Sequence, residues 1–364
     1  MILGTALSLC PVADAEQWNH IVDASPTPDV YYRPEYVRAN LSGDGSALGA
    51  VLVDSARRFL VPLILRPLAE LEFVEGGSGF DAITPYGYGG VLPLDDGTVS
   101  NAEARELLVS LRRWCLETGI VSCLIRLHPL TAQHEWFACA QDEGAALQLH
   151  GETKAIDLSN WDEERRAPVG LHKGCRSSLN LARRELRVSV TLCSSDQSES
   201  ALQTFRAMYE ETMRRRGAAE FYYFPESYYR ALAHGLGDKM SVVLCYRGGE
   251  PVAGALFFAD RLFAHYHLSG ATMTGRRYMA NTLAIIAGSN WARQRGCRWL
   301  HLGGGNQPGD SLFRFKESFG ADTFHYGFVK LVADFQRYAR LLEMRQSCQS
   351  LAPMRLGFFP AYRA

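Results

Sequence analysis

The sequence has almost no net charge and no long apolar run. Its 38 Lys plus Arg nearly balance its 39 Asp plus Glu, which leaves a formal charge of −1. No global positive field draws the chain to nucleic acid or to an anionic surface, so a nucleic-acid partner must be held by a local patch. No window approaches the ~20 apolar residues that cross a bilayer. The apolar start, residues 1–10, lacks a basic leader and stops at Pro11. It reads as a first strand rather than a signal peptide. The nine cysteines form no CxxC pair. Several lie in apolar runs, where a thiol packs as a small hydrophobe. The expectation is a reduced, cytoplasmic chain. HxxxH, HExxH and GxSxG are missing, so no metal site and no serine nucleophile is expected. Cys175 has the basic neighbour Arg176, which favours a thiolate, but nothing else marks it as a nucleophile.

What is present is enough chain for two domains: 364 residues, 47% hydrophobic and 21% charged, an ordinary globular balance. There is also an internal echo. Tyr31-Tyr32-Arg33-Pro34-Glu35 recurs as Tyr222-Tyr223-Phe224-Pro225-Glu226, and each is followed by an Arg-Ala pair, Arg38-Ala39 and Arg230-Ala231. Further on, Trp114, Gly119 and a strand-like run over 120–127 are matched by Trp291, Gly296 and a run over 297–302. Two echoes in the same order point to a duplication.

The periodicities agree. Strands are expected over 47–53 and 59–65, and a helix over 102–117, where Leu107, Leu108, Leu111, Trp114 and Cys115 recur at helical spacing before the natural cap Gly119. In the second half, strands over 241–246, 252–258 and 262–269 form a meander, with a hairpin turn at Arg247-Gly248-Gly249-Glu250. A helix over 279–294 and another strand follow. Antiparallel strands, a helix and a further strand suit an α/β fold with mixed sheets. The expected division is a first domain over 1–155, a second over 156–350 and a tail over 351–364. The basic stretch 171–187, with Lys173, Arg176, Arg183, Arg184 and Arg187, reads either as a solvated helix face or as a phosphate-facing patch.

Three segments carry a family resemblance. They are Asp81-Ala82-Ile83-Thr84-Pro85-Tyr86-Gly87-Tyr88-Gly89-Gly90, then Thr212 to Ala218 with Tyr222-Tyr223-Phe224-Pro225, then His301-Leu302-Gly303-Gly304-Gly305 with Gly309 to Phe319. In this order the chain resembles the FemAB-like aminoacyltransferases. The resemblance implies two tandem acetyltransferase (GNAT-like) domains facing each other across a cleft. The first lies on the acceptor side, and the second is the donor and catalytic domain. It also implies amide bond formation: an acyl group, often aminoacyl from tRNA, passes to an amine. Family members acting on peptidoglycan precursors usually carry a long helical arm. No 40-residue insert with sustained heptads is found here, which sets the peptidoglycan substrate aside in favour of a small or cell-wall-type amine acceptor.

Direct aminolysis needs a neutral amine aimed at the carbonyl and a donor or cation for the developing oxyanion. It needs no cofactor beyond the donor co-substrate. Lys316 is the expected cation: Leu312, Phe315, Lys316 and Phe319 share one helical face, and Gly303-Gly304-Gly305 nearby lets a ligand reach the backbone. The resemblance implies that Lys316 stabilises charge at the acyl group and that Phe315 packs beside the donor. Asp310 reads as a helix cap. Asp81 reads as a proton acceptor or as a loop cap. Tyr86 and Tyr88 line the acceptor pocket or pack on the sheet. Arg215 is the best match to the family's cleft arginine, with Tyr223 beside it, and either grips an anionic group on the acceptor or serves the helix C-terminus.

For the donor, Tyr266 and His267 lie on one strand, facing opposite ways. Arg276, Arg277 and Asn281 surround a helix start with free N–H groups, and Gly304 and Gly305 complete the set. The turn 271–281 holds a single glycine rather than Gly-x-Gly, so a full pyrophosphate cradle is not evident. This favours an aminoacyl-tRNA 3′ end over acyl-CoA as donor, with Arg183, Arg184, Arg187, Arg293, Arg295 and Arg298 as a local basic patch. An acyl-CoA-dependent N-acyltransferase is the alternative enzyme. A non-catalytic ligand-binding duplicated module is the alternative of another class.

Overall fold

The computed structural model describes residues 6–41, 46–53, 58–74, 78–96, 98–138, 144–305, 307–348, 353–355 and 357–364. Cys139 and residues 1–5 of the expected first strand lie outside them. The chain forms two compact units: residues 1–151 with 325–364, and residues 152–324. The expected boundary near 155 is close to the observed one. The expected second domain and tail are corrected, because residues 325–364 return to the first unit. The tail docks there: Tyr362 is fully buried, and the Arg345 guanidinium donates to the Ala364 carbonyl at 2.7 Å.

In chain order the first stretch gives β1 (Ala6–Pro11), α1 (Ala15–Ala24), α2 (Pro34–Ala39), β2 (Ser46–Val53), β3 (Arg58–Pro67), β4 (Phe80–Ile83), β5 (Leu92–Pro93), α3 (Asn101–Glu117), β6 (Ile120–Arg126), α4 (Gln133–Trp136) and β7 (Ala145–Asp157). Next come β8 (Trp161–Asp162), β9 (Ala167–Pro168), α5 (Lys173–Glu185), β10 (Arg187–Leu192), α6 (Ser198–Arg216), α7 (Glu226–Leu236), β11 (Met240–Arg247), β12 (Glu250–Asp260) and β13 (Phe263–Ala271). The chain ends with α8 (Met273–Arg277), α9 (Ala280–Gln294), β14 (Trp299–Gly303), α10 (Ser311–Glu317), β15 (Asp322–Val332) and α11 (Phe335–Ser347).

The duplication is visible element by element. β1–α1–α2–β2–β3–β4–α3–β6–α4 runs in the same order as β10–α6–α7–β11–β12–β13–α9–β14–α10. The two Tyr-rich echoes each form a 3-10 turn, Val30–Tyr32 and Glu220–Tyr222, leading into a helix that a proline opens, Pro34 at its first position and Pro225 at its cap. Proline suits this place because the first helical N–H groups have no partner within the helix. The second echo is a helix delivering a strand: α3 to β6 and α9 to β14.

In unit 1 the strand order is β1-β2-β3-β4-β6-β15-β7, and in unit 2 it is β7-β14-β13-β12-β11-β10. β7 carries its first residues in unit 1 and its last, from Glu152, in unit 2. All neighbours among β10 to β13 are antiparallel, while β13–β14 and β4–β6 are parallel. The closing strands are exchanged. β6 is flanked by β15 through Phe328↔Arg126 to Val332↔Ser122, and β14 is flanked by β7 through Trp299↔Asp157 to Gly303↔Lys154.

Each unit has its own core. In unit 1, α3 is fixed by a capping box between Ser100 and Glu103 and buries Leu107, Leu108, Leu111 and Trp114. In unit 2, α9 lays Leu283, Ile285 and Ile286 into a core with Val243, Ala255 and Phe257. Gly248 and Gly249, at φ +60° and +91°, close the β11–β12 hairpin; positive φ at both positions is what a tight hairpin requires.

Candidate active site

In unit 2, β13 and β14 run parallel for only three residue pairs, Phe263↔Trp299, Ala264↔Leu300 and His265↔His301. β13 then continues to Ala271 without pairing to β14. A slip in the β12–β13 ladder at Leu256/Phe257 leaves His267 opposite no residue, the pattern of a bulge, which bends a strand and re-aims its side chains. Strand ends that part in this way leave backbone groups at the carboxyl edge of the sheet, where open α/β sheets take their ligands.

Lys316 projects to this edge. Asp310 caps its helix, accepting from the Phe313 N–H at 2.7 Å and the Gln307 N–H at 3.2 Å. The Lys316 ammonium donates to the Gly304 carbonyl at 2.6 Å, directly after β14. The side chain is 7% exposed. Burial lowers its pKa to about 8, partly offset by the Asp310 carboxylate. The buried line of α10 and its end runs through Phe313, Lys316 and Phe319, while Leu312 and Phe315 are half-buried beside it. This turns the expected face slightly. Phe315 meets Phe319 edge-on at 5.2 Å. Gly304 is needed because a Cβ there would stand 2.7 Å from the Glu152 carbonyl oxygen, and at Gly305 it would stand 2.4 Å from the Asp310 carboxylate.

The sequence alone did not single out Lys154, although it is only 5% exposed. Its ammonium donates to the Glu317 carboxylate at 2.9 Å and to the Thr323 hydroxyl at 2.7 Å, and sits 4.7 Å from the Phe313 ring centre. The only available signal was an isolated lysine in the β-rich run before Ala155-Ile156.

At the far end of β13 the turn into α9 holds Gly275, packed so closely that a Cβ would be 2.1 Å from the Val252 carbonyl oxygen. Arg276 and Arg277 are exposed there, and Arg277 lies over Tyr278 at 5.6 Å. Met279, whose φ is +57°, stands at the N-cap of α9 and supplies no side-chain cap. The first N–H groups of the helix can therefore receive an anion. Asn281 lies in that first turn, half-buried.

Tyr266 and His267 do face opposite ways. Tyr266 packs on Phe257 and the helix-side core. His267 packs on Phe258 and shares a 2.8 Å hydrogen bond with the Tyr228 hydroxyl. Burial first and His265 second hold His267 neutral, with its pKa down to about 3, so it is no proton donor near neutrality.

Arg215 is held by contacts within unit 2. One arm donates to the Ala271 carbonyl at 2.7 Å and to Thr212, and the other to Glu211. It braces the end of β13 rather than standing ready for an acceptor. Tyr223 is 36% exposed, on the loop between α6 and α7. Within the expected basic patch, three of the six arginines pair with carboxylates: Arg184 with Glu185, Arg293 with Glu163 and Arg295 with Asp238. Arg183 donates to the carbonyls of Arg165 and Arg166.

In unit 1, Asp81 is fully buried on β4. One carboxylate oxygen accepts from Arg66 Nε at 2.6 Å, and the other from Arg363 Nε at 2.5 Å and Tyr362 Oη at 3.3 Å. Paired and hydrogen-bonded inside the fold, it anchors the C-terminal segment. From the sequence it reads as a proton acceptor or a loop cap; it lies on β4 with both oxygens bonded. Tyr86 and Tyr88 are half-buried. Arg126 lies over the Tyr86 ring at 5.5 Å, and Tyr88 meets Tyr31 and Tyr326 edge-on. Gly87, at φ +106°, lies so close to Tyr31 that a Cβ would be 2.4 Å from its ring.

Residues 172–317 match the acetyltransferase (GNAT) domain model. The protein thus carries an acetyltransferase (GNAT)-type domain over this part of unit 2. Its fold is FemAB-like. It is similar to a crystal structure of FemX at 14% identity and a TM-score of 0.67, over 90% of this chain and 98% of that one. It is also similar to the C-terminal domain of a putative lysylphosphatidylglycerol synthetase from Agrobacterium fabrum, at 15% identity and a TM-score of 0.57, over 91% and 95% of the two chains. L-PGS from Bacillus licheniformis gives 15% identity and a TM-score of 0.56, over 91% and 96%. No curated protein matches the sequence significantly. Among the described residues no helix is long and apolar enough to cross a membrane. Eight cysteines are described, all free thiols and seven of them buried.

Proposed function

We propose that this acyltransferase joins an aminoacyl or acyl group to an amine by direct attack, with the Lys316 ammonium as the positive group at the reacting carbonyl. One observation carries this: a buried lysine whose ammonium is fixed at 2.6 Å on the Gly304 carbonyl, where β13 and β14 part inside the GNAT domain. In the step, the acceptor nitrogen bonds to the carbonyl carbon. The carbon–oxygen bond of an ester donor, or the carbon–sulfur bond of a thioester, breaks, and the leaving group takes up the proton that the amine gives up. The developing oxyanion is stabilised by a cation held in a water-poor place. No covalent enzyme intermediate is required.

The donor we favour is an aminoacyl-tRNA 3′ end, on the strength of the single-glycine turn before α9 and the FemAB-like resemblance. Acyl-CoA is the second reading. It is supported by the open N-terminus of α9 beside Arg276 and Arg277, and by the arginines already spent on Glu185, Glu163 and Asp238. Gly304, Gly305 and Asn281 belong to this donor side. Tyr86 and Tyr88 remain our candidates for lining the acceptor, a small amine in a reducing, cytoplasmic setting. The test incubates the pure protein with charged tRNA in one tube and acyl-CoA in another, each with a panel of amines. RNase-sensitive product supports the first donor, and RNase-resistant product in the second tube supports CoA. Absence of product from every pairing counts against catalysis and favours a binding module.

A further inference from the structure

We infer that Lys154 is a positioning residue that holds α10, and with it Lys316, in place. The inference rests on the proposed role of Lys316.

α10 has seven residues, well below the ~12–15 at which a helix holds itself together. Its placement must come from tertiary contacts. Lys154 supplies them at both ends and beyond. Its ammonium lies over the ring of Phe313, near the start of the helix, bonds the carboxylate of Glu317, its last residue, and bonds the hydroxyl of Thr323 on the strand that follows. Two of its three N–H donors are thereby used, and the ring face adds a cation–π contact.

Lys316 lies three residues after Phe313 and directly before Glu317, between the two gripped positions. Its own contact, Gly304, follows Gly303, which is the ladder partner of Lys154. The β7–β14 register slips there, between His301 and Gly303. The two lysines thus tie the same corner from opposite sides: one from helix to strand end, the other from neighbouring strand to helix. The charged groups around this corner are Asp310 and Glu317 on the helix and its cap and Lys154 on β7; His172 and Arg314 act on Glu317 from further out.

The experiment reads Lys316 without substrate. Trace acetic anhydride labels the folded full-length protein across pH 6 to 11, and mass spectrometry follows acetylation of Lys316. In the unaltered protein the midpoint is expected at about 8. In Lys154→Met a loosened α10 lets water reach Lys316, and the midpoint moves up toward the ordinary 10.5. Lys154→Arg, which keeps the cation, restores most of the shift. Where transfer is measured, Lys154→Met lowers kcat on the order of 10²-fold, as a misplacement of about 1 Å does, while KM for the donor stays within about twofold. A midpoint unchanged from the unaltered protein in Lys154→Met overturns the inference. Should that variant not fold, Glu317→Gln removes the same ion pair from the outer side, and the same upward move is expected; an unmoved midpoint there overturns it equally. Because labelling uses no substrate, this outcome is separate from failure of the transfer reading, which would show as activity surviving Lys316→Met.

Discussion

The two units share an element order but close their parted strands with different chemistry. In unit 1, β4 and β6 run parallel through Ile83↔Leu124, and the Thr84 hydroxyl then accepts from the Arg126 N–H at 2.9 Å. Gln133, at the start of α4, fills the next space. Its carbonyl accepts from the N–H groups of Val91 and His128, both at 3.1 Å, and its amide donates to the Val91 carbonyl at 2.6 Å and the Tyr32 hydroxyl at 3.2 Å. The side chain replaces a missing strand and seals the gap. In unit 2 the corresponding helix brings a lysine instead, whose ammonium donates, among the described residues, to one backbone carbonyl at the edge of the sheet. Duplication copied the scaffold, and the corresponding helices bring different side chains to it: an uncharged amide in unit 1 and an ammonium in unit 2. A fully satisfied amide stabilises. A buried ammonium with a lowered pKa costs stability.

The largest expected effect is on catalysis. Lys316→Met should lower kcat on the order of 10³-fold, in line with loss of a preorganised oxyanion partner, with the circular dichroism spectrum unchanged. Retained transfer in that variant would erase the contrast between the units. Next, Gln133→Ala should cost about 4 kcal/mol of stability in urea denaturation, because two N–H groups and a carbonyl lose their partners in the interior. A cost below about 1 kcal/mol would mean that Gln133 does not seal unit 1.

The smallest effect sharpens the comparison through pH. The folded pKa of Lys316 is about 8 against an ordinary 10.5. Below pH 8 both states carry the proton, and the cost of burying the charge is fully present. Between about 8 and 10.5 the unfolded chain binds the extra proton, so stability rises with pH. The rise totals about 3 kcal/mol at 1.36 kcal/mol per pKa unit, and a difference measurement against Lys316→Met should isolate it. Transfer should fall over the same range as the ammonium is lost. An activity that climbs through pH 8 would make Lys316 a base rather than a cation.

Much of this comparison was legible in the sequence because its signals are local. The Tyr-Pro-Glu echoes and the helix-Gly-strand joins depend on neighbours a few residues apart, and so does the Asp310 cap. The Gly303-Gly304-Gly305 run and the apolar helix around Lys316 marked, for similar reasons, the corner where Lys316 meets Gly304. The errors came from distant partners. Asp81 looked like a loose carboxylate, whereas its cations are Arg66 on the neighbouring strand and Arg363, 282 residues away. Arg215 looked available until Ala271 appeared beside it. Lys154 and Glu317 are 163 residues apart, and no periodicity connects them. The exchange of closing strands also left no local trace, because β7 and β15 read as ordinary strands whichever sheet receives them.

That exchange has a consequence for synthesis. The strand flanking β6 is β15, and its pairing residues begin at Phe328. A ribosome therefore makes all of unit 2 before the first unit can receive this strand. Domains usually fold in the order in which they are made. Here the half that begins first is the half completed last, so until then β6 presents an unfilled edge to whatever else the nascent chain meets.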